Sequence, residues 1–179
     1  RETALMIAAC KNNLEIVQLL VEANFDIQAK EKLTGSSVLM MAIRSRATAT
    51  CLHLLTMCNS SLEFDRDNDG NSLLHAAAET GSLEISSCLV KVANTLIHAD
   101  NNLGQTPLHI ACKYNHASLV RWFSDHTDCS LSCVDLSGNS LKVAASSNGL
   151  ASIRTSEVAP VELNAILYRN ERTLQRLHR

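Results

Sequence analysis

Every 34 or 35 residues the chain returns to the same pattern. Thr3, Ser37, Ser72, Thr106 and Ser140 stand at successive gaps of 34, 35, 34 and 34. Each opens a short apolar run, and nine residues later an Asn or Gly follows in four copies, at Asn12, Gly81, Asn115 and Gly149. A second apolar run comes next, holding Leu19-Leu20, Leu54-Leu55, Cys88-Leu89 and Trp122-Phe123. A fixed period of this length specifies stacked supersecondary units rather than one globular core. Such a stack offers binding surfaces more readily than a closed active site.

Composition narrows the choice. Aromatic residues are only 3% of the chain, so packing rests on Leu, Ile, Val, Ala and Met. Ala, Leu and Met favour helix, and only two prolines interrupt. The net charge of −2 leaves no basic footprint for phosphate, which excludes a general nucleic-acid binder. No apolar stretch reaches the roughly 18–20 residues that span a bilayer. Arg1 falls past the place of a preceding turn, so the chain reads as a piece of a longer protein. Seven cysteines are an odd number without a C-x-x-C pair, and Cys129 and Cys133 find no second pair at zinc spacing. Reduced, structural thiols and an intracellular, cytoplasmic location are therefore expected, with the nucleus left open.

The copy from Asn101 to Ser132 shows how one unit is built. Asn101-Asn102-Leu103-Gly104 is a turn sequence. Thr106 caps a helix that starts at Pro107, where no backbone donor is missed. Leu108, Ile110, Ala111 and Cys112 fill that short helix, and Asn115 ends it in the left-handed conformation. Leu119, Val120, Trp122 and Phe123 give a second helix a wide apolar face.

Thr106-Pro107-Leu108-His109-Ile110-Ala111 matches T-P-L-H-x-A, and here the chain resembles the ankyrin-repeat family. Looser copies begin at Thr3, Ser37 and Ser72, and Leu14-Glu15-Ile16-Val17-Gln18-Leu19-Leu20 resembles the second half of the unit. The resemblance covers residues 1–156. It implies an all-α ankyrin-repeat solenoid of helix-turn-helix units, with copies at about 1–31, 32–66, 67–100 and 101–134 and a degenerate cap at 135–156. In the cap, Lys142 stands where a core Leu belongs and Ser156-Glu157 replace Leu-Leu, as suits a terminal unit facing water. The late position of Leu54-Leu55 is read as one extra residue between the helices of the second copy.

Residues 157–179 form a C-terminal amphipathic helix in this reading. Leu163, Leu167, Leu174 and Leu177 follow a short heptad seam. Either Leu163, Ile166 and Leu167 lie on the last repeat as a lid, or the seam starts a coiled coil and offers a helix–helix contact. A basic membrane-surface helix is the third alternative.

Few residues carry a chemical pattern. Asp65-Arg66-Asp67-Asn68-Asp69-Gly70 matches the first half of a calcium loop, but its twelfth position is Ala76 rather than a bidentate Glu. The repeat register demands the same residues as a turn, so no metal is expected. His75 and His109 are 34 apart, and the resemblance implies that each bonds loop backbone of a neighbouring repeat rather than serving as a base. Asn59-Ser60-Ser61 has the form of a glycosylation sequon at a turn. No phosphate loop, zinc-protease or nucleophile-elbow motif occurs. No catalytic residue and no cofactor are expected.

Family resemblance further implies binding on a concave face made of turn tips and the exposed side of each first helix. By register the tips hold Leu33, Thr34, Arg66, Asn68, Asn102 and Leu103. The helix faces hold Arg44, Ser45, Glu79, Thr80, Lys113 and Tyr114. The partner-binding candidates are thus Leu33, Arg44, Arg66, Asn68, Glu79, Asn102, Leu103, Lys113 and Tyr114, positions taken as free of packing duties. Charge alternates along them through Arg44, Glu79 and Lys113, which fits a mixed-charge protein partner better than a polyanion. The sequence thus reads as a non-catalytic protein-interaction module. The regulatory arm of a larger enzyme or membrane channel is the alternative, and a calcium switch at Asp65, Asp67 and Asp69 a third reading.

Overall fold

A computed structural model of the chain describes residues 3–58 and 62–126. The fifth copy, the tail, Cys129, Cys133 and Asn59 lie outside the described residues. Within them the chain is a series of four helix pairs, with no strand longer than an isolated bridge. The pairs are α1 (Ala4–Cys10) with α2 (Leu14–Glu22), α3 (Val38–Arg44) with α4 (Thr48–Met57), α5 (Leu73–Thr80) with α6 (Leu83–Val92), and α7 (Pro107–Lys113) with α8 (Ala117–His126).

Each first helix starts where the sequence supplies a cap. Thr3 Oγ1 accepts the Met6 N–H at 3.2 Å, and Ser37 Oγ accepts the Met40 N–H at 3.1 Å. Ser72 and Thr106 form reciprocal capping boxes with His75 and His109. Each first helix is followed by a residue in the left-handed region: Asn12, Arg46, Gly81 and Asn115, with φ of 53°, 57°, 72° and 61°. Arg46 takes this conformation without the side chain that favours it. Its guanidinium reaches the Thr80 carbonyl of the next repeat at 2.7 Å.

First helices pack in a row, α1 on α3, α3 on α5 and α5 on α7, and the second helices follow the same order. The core is one continuous apolar layer. In it Leu54, Leu89 and Phe123 occupy the same register position on successive second helices, all buried.

That register corrects one expectation. The second helix begins eleven residues after the capping residue in all four pairs, at Leu14, Thr48, Leu83 and Ala117. No extra residue separates α3 from α4; the longer period of the second copy is taken up after Met57. Leu54, not Leu55, stands in line with Leu20, Leu89 and Phe123.

Between pairs the chain makes tight turns held by a carboxylate or amide. Glu31 accepts the N–H groups of Leu33 and Thr34, Asp67 those of Asp69 and Asn71, and Asn101 those of Leu103 and Gln105. Gly70 sits in such a turn at φ 77°, where a Cβ would lie 2.9 Å from the Asn102 backbone nitrogen and against that residue's side chain. Gly70→Ala therefore combines backbone strain with a clash that separates two repeats, and should cost about 2 kcal/mol or more. Urea denaturation checks it, and an unchanged midpoint would contradict the turn geometry.

Candidate binding surface

Successive turns are joined to one another through their tips. The Asn68 side-chain amide donates to the Leu33 carbonyl at 2.8 Å, and the Asn68 N–H donates to the Thr34 carbonyl at 2.9 Å. One repeat on, Asn102 does the same to Asn68 and Asp69, at 3.0 and 2.9 Å. Arg66 donates to the carbonyls of Gly70 and Asp100, at 2.8 and 2.5 Å. Arg66, Asn68 and Asn102 thus hold repeat to repeat. The expectation that they are free of packing duties fails for these three, because their side chains satisfy backbone carbonyls that neighbouring turns leave open.

Arg44 carries a similar duty. Its guanidinium reaches Ser36 Oγ at 2.7 Å, Asp67 Oδ2 at 2.7 Å and Glu79 Oε2 at 3.4 Å. Burial pushes the Asp67 carboxyl up, but hydrogen bonds from Arg44 and Asn71 outweigh it and hold the group below its ordinary value. Glu79 also accepts the Tyr114 hydroxyl at 3.3 Å. The Lys113 ammonium lies 5.7 Å from the Tyr114 ring centroid, within cation–π reach. Two of the three alternating charges of the sequence, Arg44 and Glu79, are therefore partnered across repeats. Arg44 and Glu79 neutralise each other along the row of first helices.

The apolar candidates are exposed. Leu33 is 85% exposed, Leu103 55% and Tyr114 45%. They stand on turns and a helix end whose backbone is fixed by the bonds just described. Phe64, also exposed, was not singled out by the sequence, since nothing local to it marks it as more than a loop residue.

The remaining chemical candidates have structural roles. His75 is buried; its Nδ1 accepts the Ser72 N–H at 3.1 Å, which leaves Nε2–H to donate to the Gln105 carbonyl at 2.7 Å in the next repeat. Burial pushes its pKa down to about 4, against the pull of that carbonyl. His109 makes the same bond to the Thr106 N–H. Of the acidic run, Asp65 pairs with Lys30 at 3.2 Å and accepts from Ser37, while Asp67 is held by Arg44. Among the described residues no group of three or more His, Cys, Asp or Glu is arranged to hold a metal ion. Cys10, Cys51, Cys58, Cys88 and Cys112 are free thiols, and burial pushes those of Cys51 and Cys112 up to about 12, far from thiolate reactivity. No helix among the described residues is long and apolar enough to cross a membrane.

A sequence profile described as ankyrin repeats in three copies matches residues 1–62, 39–135 and 89–155. Among curated proteins, the chain is 27% identical over 110 residues to Protein ACCELERATED CELL DEATH 6 of Arabidopsis thaliana, covering 62% of this chain and 15% of that protein. It is 32% identical over 117 residues to the putative ankyrin repeat protein FPV031 of Fowlpox virus, covering 64% of this chain and 33% of that protein. It is 30% identical over 125 residues to Tyrosine-protein kinase HTK16 of Hydra vulgaris, covering 69% of this chain and 16% of that protein. The chain thus spans a third or less of the length of each of these relatives.

Proposed function

Because the chain belongs to the ankyrin-repeat family, we propose that it is a non-catalytic protein-interaction module that takes a protein partner on the face built from its turn tips and first helices. Ankyrin repeats generally mediate protein–protein interaction, and the finer assignment rests on one observation. Leu33, Leu103 and Tyr114 project into water from a frame in which the neighbouring charges are already matched. Groups on a rigid support lose little entropy on binding, and a few side chains, aromatic ones such as Tyr114 foremost, supply most of an interface's energy. Leu33, Leu103, Tyr114 and Lys113 are the contact residues in this reading. Arg44, Arg66, Asn68, Glu79 and Asn102 shape the surface and reach the partner at its rim. The free thiols support an intracellular setting.

A second reading, the regulatory arm of a larger enzyme or membrane channel, has its own support. The segment matched in the Hydra protein is 16% of a chain named a tyrosine-protein kinase. Under that reading the same face docks within the full-length chain. Residues 135–179 would then connect the stack to what it regulates.

The test is affinity capture from lysate with the chain beside Leu33→Ala/Leu103→Ala/Tyr114→Ala, followed by binding of the captured protein in purified form. All three side chains are exposed, so the variant should keep its stability within about 1 kcal/mol while weakening the purified interaction by roughly 100-fold. Equal affinity of the two forms would move binding away from this face.

A further inference from the structure

The second helix of the second pair begins unlike its neighbours. The free N–H groups of a helix start need acceptors, and a side chain just before the helix ordinarily supplies one. In α2 Asn13 does so, accepting the Ile16 N–H at 3.2 Å, and in α6 Ser82 accepts the Ile85 N–H at 3.4 Å. The same place before α4 is Ala47, which has no side-chain acceptor to offer. The corresponding amide is that of Thr50. It donates at 3.3 Å to Asn12 Oδ1, which lies 38 residues earlier in the loop between α1 and α2.

Thr50 differs in a second way. Ile16, Ile85 and Leu119 hold its register position in the other pairs, whereas Thr50 brings a hydroxyl to a site with 0% exposure. A buried hydroxyl needs a partner. This one also donates to Asn12 Oδ1, at 3.2 Å. One oxygen of the first repeat therefore serves two donors in the first turn of α4. Asn12 is exposed and sits at φ 53°, the left-handed conformation that aims its side chain at the next repeat. Cys51 follows Thr50 and is equally buried.

We infer that Asn12 caps α4 from the neighbouring repeat and makes the first turn of that helix a conditional element. The turn is closed while the first helix pair is seated on the second, and it opens when that pair shifts. α6 carries its own cap and has no such dependence. Displacement of the first pair is thereby passed on to α4, where it uncovers a buried thiol. Nothing in this assignment depends on the turn-tip face.

Amide exchange in the full chain and in Asn12→Gly tests it. Glycine keeps the left-handed backbone and removes only the acceptor. Exchange at Thr50 and Cys51 should speed up by about 10-fold or more, with Ile85 and Ser86 unchanged. Alkylation of Cys51 by iodoacetamide, located by peptide mass, should accelerate by a similar factor. Ala47→Ser/Thr50→Ile gives α4 the pair that α6 carries at Ser82 and Ile85. In that background Asn12→Gly should leave both rates unchanged. Exchange at Thr50 and Cys51 that Asn12→Gly does not alter would overturn the inference. So would a rise spread equally over α4 and α6, since Asn12 would then support the whole stack and not this turn.

Discussion

His75→Ala should cost about 3 kcal/mol of stability, the sum of a buried cavity and the Ser72 N–H left without its acceptor, while the Gln105 carbonyl keeps the Asn101 N–H. The side chain spans two repeats, taking the Ser72 N–H on one side and giving its Nε2–H to the Gln105 carbonyl on the other. The same residue makes stability depend on pH. Its folded pKa lies near 4 against 6.5 unfolded, so between those values the unfolded chain binds a proton that the folded chain refuses. Stability is fully present above pH 6.5 and falls as pH drops toward 4, by ~1.4 kcal/mol per unit and about 3 kcal/mol in all. Urea titrations at pH 7, 6 and 5 check both points. The wild-type midpoint should fall across the series, and the His75→Ala midpoint should start lower and fall much less. Parallel curves would show that another group carries the dependence.

Arg44→Ala should lose about 2–4 kcal/mol, because it strands a carboxylate whose side chain is 2% exposed. Asp67 keeps its bonds from Asn71 and from backbone N–H groups, which places the loss toward the lower end of that range. Asp67→Asn in the Arg44→Ala background should recover part of the loss by removing the buried charge. Glu79→Gln should cost under about 1 kcal/mol, since its pair with Arg44 is more than a third exposed on the glutamate side. Thermal unfolding of the wild type and the three variants decides the matter. If Arg44→Ala is no worse than Glu79→Gln, Arg44 is a surface charge after all.

These two residues mark where the sequence was legible and where it was not. Helix starts are local events. Ser or Thr caps, Pro107 at a first turn, and Asn or Gly nine residues on can be read one at a time, and the structure places all four first helices where those signals stand. His75 could be read through resemblance, because its partner is backbone of the next repeat at a fixed offset. Arg44 could not. Its partner Asp67 lies 23 residues away across a repeat boundary, and the turn residues between them gave no sign of which side chain points inward.

Asn68 and Asn102 misled for a related reason. A polar residue at a turn tip looks free when only its own turn is considered, yet the amide is used one turn away. The misplaced extra residue in the second copy has a physical cause as well. Leu54 and Leu55 are both buried, so an adjacent pair of leucines does not reveal which one is in register. The start of α4 at Thr48 does.

Under the proposed function a partner is held at the turn tips by apolar groups on a pre-set frame. A photoreactive amino acid placed singly at Leu33, Leu103 or Val92 tests it, because Val92 is as exposed as Leu103 but stands at the end of a second helix. Irradiation with the captured partner should give adducts from Leu33 and Leu103 and none from Val92. Adducts from Val92 alone would place the partner on the second helices and contradict the account.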